Sequence, residues 1–370
     1  MEEVERLAPV WDELPWKREE AERDYLLARI HSRPDAIAPF GVVVTRDGVP
    51  VAGLAGRVES RRLQTSIGYR VVYAPEVRMV QVVDGGLVAT DAEAIPPLFA
   101  ALRSALGEAD AVALPPLELG SELLAAADAL GGPLERQRLI APWTRRWLAL
   151  PGSFEEFLAT RSRNVRSGIR YDTRKLLAAL GDELSVEILR GPGDLDRFVA
   201  DLDRVARSSY QRAVGAGFAD TPEQRALAEI GLEHGWVRAY VLYRGSEPIA
   251  YWLCSTYRGR LVLRTTGFLG EYASHRVGIY LLMRVIEDAC ADPSLDVLDF
   301  GPGDAAYKRQ FSSDSRVERN VVVFAPTFRG RRINATRSAV LGLASLAHRA
   351  LDATRLTDAV KSRWRGRLRA

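Results

Sequence analysis

Two stretches of this chain hold residues whose types and spacing could do chemistry. The first is Gly267-Phe268-Leu269-Gly270-Glu271-Tyr272-Ala273-Ser274-His275-Arg276-Val277-Gly278-Ile279, which joins a strand pattern to a helical one. A glycine-containing loop at a helix start offers free backbone N–H groups and the positive end of the helix dipole. Such an end suits a pyrophosphate, and His275 or Arg276 can add charge. An ordinary strand-to-helix connection would look the same. The second stretch runs Asp299-Phe300-Gly301-Pro302-Gly303-Asp304-Ala305-Ala306-Tyr307-Lys308. Its Gly-Pro-Gly breaks a strand sharply, and a helix from Asp304 would set Asp304 and Lys308 on one face at i, i+4. A carboxylate, a phenol and an ammonium at one strand end can supply a base, an acid and an anion contact. The plainer alternative is an Asp N-cap, a core Tyr and a surface Lys.

A third feature is a run of arginines, Arg161, Arg163, Arg166, Arg170 and Arg174, uninterrupted by any acid from Leu158 to Tyr171. Positions 163, 166, 170 and 174 share one helical face. Exposed helices usually mix signs, so an all-basic stripe points to an anionic ligand, with a solvated surface as the alternative. Arg163, Arg166 and Arg170, joined by Tyr210, are therefore candidate substrate or anion contacts. Only Tyr171 offers the aromatic interleaving that stacks bases, so nucleic acid is the poorer partner.

The elements that must position these residues can be read along the chain. Residues 15–30 predict a helix. Two apolar runs around Arg46-Asp47-Gly48 predict a hairpin, residues 71–83 alternate, and Pro96-Pro97 opens a helix over 98–106. A strand at 110–114, a helix at 122–130 closed by Gly131-Gly132, and a strand to about residue 150 complete the first half. Its loop near Gly85-Gly86 lacks a phosphate-binding helix start. In the second half Ser153 and Glu156 have capping-box spacing. Helices follow over 154–180 and 193–213, then a loop over 215–220 and a helix over 222–233. Strands at 237–243, 248–257 and 260–268 lead to a helix over 278–291 and a strand over 295–300. Arg46-Asp47-Gly48-Val49-Pro50-Val51-Ala52 lines up with Arg244-Gly245-Ser246-Glu247-Pro248-Ile249-Ala250, which suggests a repeated unit.

The strand order, the Gly278 helix and the Asp-Phe-Gly-x-Gly-Asp-x-x-Tyr-Lys run resemble the GNAT-type acetyltransferases grouped with the CelD/BcsL proteins of polysaccharide biosynthesis. The resemblance spans 154–323, and its most specific piece is Gly303-Asp304 with Tyr307-Lys308. Fem-type aminoacyl-tRNA-dependent transferases share a doubled version of this fold. The resemblance implies an α/β (α+β) fold of two tandem GNAT-like domains, each a mixed, largely antiparallel sheet flanked by helices. The expected layout is a degenerate GNAT-like domain over 1–150, an acyltransferase domain over 151–327 and a basic helical tail over 328–370. Acetyl-CoA or another acyl-CoA is the implied co-substrate. Its pantetheine arm would lie along Thr265, Thr266, Gly267 and Phe268, and its pyrophosphate at His275, Arg276, Val277, Gly278 and Ile279. Of the Arg/Gln-x-x-Gly-x-Gly/Ala signature only the first glycine, Gly278, survives; His275 and Tyr280 stand at the outer positions. Tyr307 matches the tyrosine that protonates the leaving thiolate.

The implied reaction is direct attack of an amine on a thioester. An amine with a pKa of about 10.4 must first lose a proton, which Asp304 or Asp299 could accept through water, with Lys308 as an anion contact. The acceptor would be a small-molecule amine or an amino sugar. The alternatives are an aminoacyl-tRNA donor, with tRNA on the arginine stripe, and a non-catalytic pair that binds saccharide or scaffolds a complex.

Bulk properties narrow the remaining classes. At 370 residues the chain exceeds the size at which one core stops growing. Two cysteines, Cys254 and Cys290, make no disulfide framework, and four scattered histidines show no metal-ligand spacing. No metal is expected. No signal peptide or membrane-length apolar run is visible, so a cytoplasmic protein is expected. The net charge of +3 hides an asymmetry: from Phe328 onward there are eleven Lys/Arg against two Asp. That amphipathic basic tail could lie on an anionic surface at the inner face of the membrane, or dock on the acidic body of its own chain.

Overall fold

The computed structural model describes residues 2–67, 70–209 and 217–353. In chain order its helices are α1 (Glu2–Trp11), α2 (Arg23–His31), α3 (Ile95–Ala105), α4 (Glu122–Ala129), α5 (Phe154–Ala159), α6 (Arg163–Leu180), α7 (Leu195–Arg207), α8 (Pro222–Glu233), α9 (Val277–Ala291), α10 (Ala306–Phe311) and α11 (Phe328–Ala353). The strands of the first half are β1 (Ala36–Arg46), β2 (Val49–Arg62), β3 (Thr65–Ile67), β4 (Arg70–Tyr73), β5 (Glu76–Ala89), β6 (Ala111–Glu118) and β7 (Trp143–Ala149). Those of the second are β8 (Leu184–Leu189), β9 (Val237–Arg244), β10 (Glu247–Tyr257), β11 (Arg260–Phe268), β12 (Val297–Asp299) and β13 (Asp314–Phe324).

Among the described residues eleven strands form one mixed sheet, in the order β1-β2-β5-β6-β13-β7-β12-β11-β10-β9-β8. The order shows a repeat. In the first half β1, β2 and β5 are antiparallel neighbours and β6 joins parallel. In the second, β9, β10 and β11 repeat that series and β12 joins parallel. The two aligned sequence segments form the equivalent hairpin turns. Arg46 pairs with Val49 across Asp47 and Gly48, both at positive φ, the backbone that a tight two-residue hairpin requires. Arg244 pairs with Glu247 across Gly245 at φ 58°.

The halves are interlocked at their last strands. β7, from the first half, lies antiparallel to β12, and β13, from the second, lies antiparallel to both β6 and β7. Each half thus supplies the strand that covers the other's inner edge. The sheet is packed on both faces. On one, Leu281, Leu282, Val285 and Ile286 of α9 meet Leu261 and Leu263 of β11 and Leu298 of β12. On the other, Phe198 and Leu202 of α7 and Leu232 of α8 cover Ala239, Val241 and Tyr251. The N-terminal segment extends that second layer with Trp11, Leu14 and Trp16, next to Tyr257.

Several elements differ from the sequence expectation. Residues 15–30 are not one helix. Residues 19–21 make a single 3-10 turn, Glu22 is extended, and α2 follows, because Trp16 and Arg18 are drawn into the space beside the sheet. The helix expected over 154–180 breaks at Ser162, whose hydroxyl caps α6. Gly85-Gly86 lies inside β5 rather than in a loop. Gly85 takes φ 71° at a bulge, and a Cβ there would stand 2.6 Å from the Arg18 backbone nitrogen. β8 and β13 were not anticipated. Tyr210, most of the helix end expected at 208–213, and the start of the loop expected at 215–220 fall outside the described residues, as does the tail beyond Ala353.

The first part of α11 docks on the first half. Arg329 pairs with Asp110 and Arg331 with Glu135, while Arg337 donates to Gln137 and to the 63–65 backbone and hydroxyl groups. Among the described residues no helix is long and apolar enough to cross a membrane.

The exchange of β7 and β13 makes a direct prediction. Alone, a 1–150 fragment would leave β6 with an open apolar edge, and a 151–370 fragment would leave β12 with one. Expressed separately, neither should show a cooperative urea transition, and co-expression should restore one. A cooperative transition in either fragment alone would contradict the interlock.

Candidate active site

The parallel pairing of β11 with β12 lasts three residue pairs, Arg260 with Val297, Leu261 with Leu298 and Val262 with Asp299. There β12 ends, and the chain turns away through Gly301 (φ 69°) and Gly303 (φ 90°). A Cβ at Gly301 would lie 2.8 Å from the Leu263 carbonyl, so the turn passes β11 where only glycine fits. Beyond that point β11 runs on to Phe268 with no strand on this side among the described residues. A notch therefore opens in the middle of the sheet, bordered by an edge of unpaired backbone N–H and C=O groups. An extended polar ligand can satisfy such an edge as a strand would.

β11 also carries a bulge beside the notch. Leu253 faces Thr265 and Cys254 faces Leu263, leaving Arg264 as the extra residue. The bulge turns both Arg264 and Thr265 toward the face covered by α7, α8 and the N-terminal segment.

On the opposite face the notch meets the start of α9. Arg276, in left-handed conformation at φ 55°, forms the N-cap, and its carbonyl accepts from the N–H groups of Ile279 (3.0 Å) and Tyr280 (3.1 Å). The Arg276 guanidinium is 3.0 Å from Asp172 of α6. His275 has a buried Nδ1 with no partner. Trp252 ties this corner to the far side: its indole N–H donates to the Gly278 carbonyl at 3.2 Å, and its ring stands 6.2 Å from that of Tyr307. Phe300 holds Tyr307 from another side at 6.3 Å, also edge-on. Burial pushes the Tyr307 phenol up to about 12, so it keeps its proton at neutral pH. Tyr307 and Gly278 thus meet at one indole, and Phe268 lies beside Gly278.

The other residues of the strand-end cluster have partners. Asp299 is buried and accepts from Arg145 Nε (2.7 Å) and from the Gly301 N–H (2.8 Å), with Arg18 at 3.8 Å. Burial raises its carboxyl pKa against the pull of Arg18. Asp304 lies at the surface between Arg146 and Arg309, each at 2.7 Å, and these hydrogen bonds hold it below the usual carboxylate range. Because α10 begins at Ala306, Asp304 stands outside the helix and does not share a face with Lys308. The Lys308 ammonium turns back under the glycine turn and donates to the carbonyls of Gly301 (3.2 Å) and Pro302 (2.6 Å). Its pKa is lowered by burial.

The arginine stripe forms a separate cleft of about 790 Å³. Arg163, Arg166, Arg170 and Arg174 of α6 and Arg284 of α9 line it over an apolar floor of Phe154, Leu158 and Ile169, and no carboxylate lines it. Arg161 is not part of it, since it donates to the carbonyls of Gln310 and Ser312. Sequence reasoning missed Trp252, Phe300, Arg145 and Arg146. The Trp-Tyr contact joins positions 55 residues apart in the chain, and no local pattern announces it.

Residues 163–309 match the family model described as an acetyltransferase (GNAT) domain. No curated protein matches the sequence. Among solved structures, this chain is similar to FemX (TM-score 0.51, 12% identity, covering 80% of this chain and 94% of that one). It is also similar to the C-terminal domain of a putative lysylphosphatidylglycerol synthetase from Agrobacterium fabrum (TM-score 0.50, 12% identity, covering 92% and 96%). A tandem GNAT protein from the clavulanic acid biosynthesis pathway aligns at TM-score 0.48 and 14% identity, covering 82% and 87%. At these identities the likeness concerns the fold alone.

The site geometry makes Lys308 the support of the glycine turn. Lys308→Met should leave two carbonyls unpaired and lower unfolding stability by about 1–3 kcal/mol in urea denaturation. An unchanged midpoint would show that the turn holds without it.

Proposed function

We propose that the protein transfers an acetyl or other acyl group from an acyl-CoA to the amine of a small molecule or amino sugar. The observation that carries this reading is the unpaired β11 edge, which opens between Tyr307 and the start of α9. In this reading the pantetheine amides pair with the backbone of Thr265, Thr266, Gly267 and Phe268. The pyrophosphate sits at Val277, Gly278 and Ile279, with Arg276 and His275 beside it. CoA, when bound, supplies an activated thioester. Backbone N–H groups near the bulge stabilise the oxyanion formed as the amine attacks. Tyr307, still protonated at neutral pH, then gives its proton to the departing sulfur.

The partnered state of Asp299, Asp304 and Lys308 supports a positioning role for all three. Asp299 and Lys308 hold the Gly301-Pro302-Gly303 turn through its first N–H and its carbonyls, Asp304, the residue after it, is tied to Arg146 and Arg309, and that turn sets the Tyr307 ring. In this layout residues 151–327 carry the chemistry and 1–150 brace them. The tail from 328 is anchored by Arg329 to Arg337, and Leu343 and Leu346 lie exposed beyond that anchor, where an anionic membrane surface on the cytoplasmic side could receive them.

A second reading, an aminoacyl-tRNA donor, is favoured by the cleft of five arginines. Salt separates the two, because contacts to many phosphates make binding fall steeply as salt rises.

Calorimetry with acetyl-CoA at low and moderate salt tests the first reading. Wild type should bind in the micromolar range, and Gly278→Glu, which sets a carboxylate at the pyrophosphate position, should abolish binding. Tyr307→Phe should bind normally yet turn over at least a hundredfold more slowly. No acetyl-CoA binding by wild type, or full turnover by Tyr307→Phe, would overturn the donor site or the acid role respectively.

A further inference from the structure

The face of the sheet opposite Tyr307 holds a second group of polar residues, and half of it comes from the other end of the chain. Arg264, the extra residue of the β11 bulge, reaches into the N-terminal segment. It donates to Glu19 at 2.8 Å and also to Glu20. Both carboxylates are buried, Glu19 completely. One guanidinium is thus shared between two carboxylates, and Oε2 of each is left buried without a partner. Ser255 of β10 has a buried, unpartnered hydroxyl as well. Glu19, Arg264 and Ser255 line the same cavity of about 60 Å³, with Phe198, Phe218 and Leu253 as apolar walls.

A buried carboxylate oxygen with no donor costs free energy, and a sheltered site that keeps one is ready for a ligand that brings the donor. An ammonium head brings three N–H groups and no acceptor. The cavity holds several times the roughly 10–15 Å³ that one water needs, enough for an aminomethyl head and not for a sugar ring. Its apolar walls fit a slender alkyl stem.

We infer that Glu19, from the first half, is the general base of the second half's reaction, and that the acceptor is a primary alkylamine whose ammonium enters this cavity. The inference rests on the acyl-CoA reading and narrows its acceptor. Glu19 Oε2 takes one proton from the ammonium. The freed amine attacks the thioester carbonyl carbon through the notch, forming the C–N bond. When the C–S bond breaks, its electron pair stays on sulfur, which receives the Tyr307 proton. The nitrogen loses its second proton, which restores Tyr307, and keeps its third in the amide. Glu19 returns its proton to solvent as product leaves.

Electrostatics suit the role. Burial and the neighbouring Glu20 push the Glu19 carboxyl up, against the pull of Arg264 and Arg18. The charged and titratable groups around it are Arg18 and Glu20 on its own turn, Tyr25 and Arg29 of α2, Asp84 of β5 and Arg264 of β11. A base whose carboxyl is raised in this way is protonated as the pH falls through its pKa, so activity should decline toward acid and rise toward alkaline pH.

The test uses the full chain, propylamine as the amine probe and acetyl-CoA as the donor. Thiol release should be at least a hundredfold slower in Glu19→Gln at pH 7.5 and recover toward pH 10, where free propylamine becomes abundant. Acetyl-CoA affinity should match wild type, and the variant should still unfold in one cooperative transition. Propylamine binding, measured by calorimetry without donor, should weaken at least tenfold in Glu19→Gln and in Ser255→Ala. Equal propylamine binding in wild type and Glu19→Gln would overturn the site, whether or not the donor proves to be acyl-CoA. Undiminished thiol release in Glu19→Gln would overturn the base. Wild type that binds acetyl-CoA yet releases no thiol with propylamine would overturn the acceptor class and leave the donor reading standing.

Discussion

Strands in the middle of a sheet stay paired because an unpaired N–H or C=O away from water costs roughly 1–3 kcal/mol. β11 and β12 nevertheless part after Val262 and Asp299. The rest of the molecule can be understood as what makes that parting tolerable. Gly301 and Gly303 turn the chain off the sheet, and Lys308 takes up the carbonyls that the turn exposes. Asp299 holds the turn's first N–H while Arg145 holds Asp299. Arg145 belongs to β7, so the first half contributes directly to the shape of the notch in the second. The exchange of β7 and β13 is what brings that arginine within reach.

The same constraint sorts the two faces of the site. Side chains alternate along β10 and β11, so Trp252, Leu263 and Phe268 face α9 while Leu253, Ser255 and Arg264 face the N-terminal segment. One face is aromatic and gathers around Tyr307, next to a helix start suited to phosphate. The other is a buried set of carboxylates, hydroxyls and one guanidinium. In the proposed reaction the activated acyl group would use the first environment and the amine the second. The arginine cleft on α6 lies outside this division; Asp172 of the same helix pairs with Arg276 at the α9 start, which keeps the stripe close to the phosphate-suited corner.

Much of this was legible in the sequence because it is local. The Asp47-Gly48 turn, the Ser153 cap, Pro222 at the start of α8 and the three strands from Val237 to Phe268 all follow from short-range patterns. The repeat was visible in two hairpins. The glycines at 301 and 303 marked the strand break, and Tyr307 was singled out on its neighbours. What could not be read was set by contacts distant in sequence. Glu19 and Glu20 look like the polar side of a helix until Arg264, some 245 positions away, is placed against them. Asp299 and Asp304 read as free acids because Arg145 and Arg146 lie more than 150 positions earlier. β13 reads as a charged segment because its partners come from the first half.

In the proposed reaction the acyl donor lies along the unpaired edge of β11. Hydrogen exchange followed by mass spectrometry, with and without saturating acetyl-CoA, measures this most directly. A donor bound there should slow exchange of the amides of residues 264–268 and 277–280, with α6 unchanged outside its contact with the α9 start. Protection confined to the arginine face of α6, with the β11 edge exchanging as before, would contradict it.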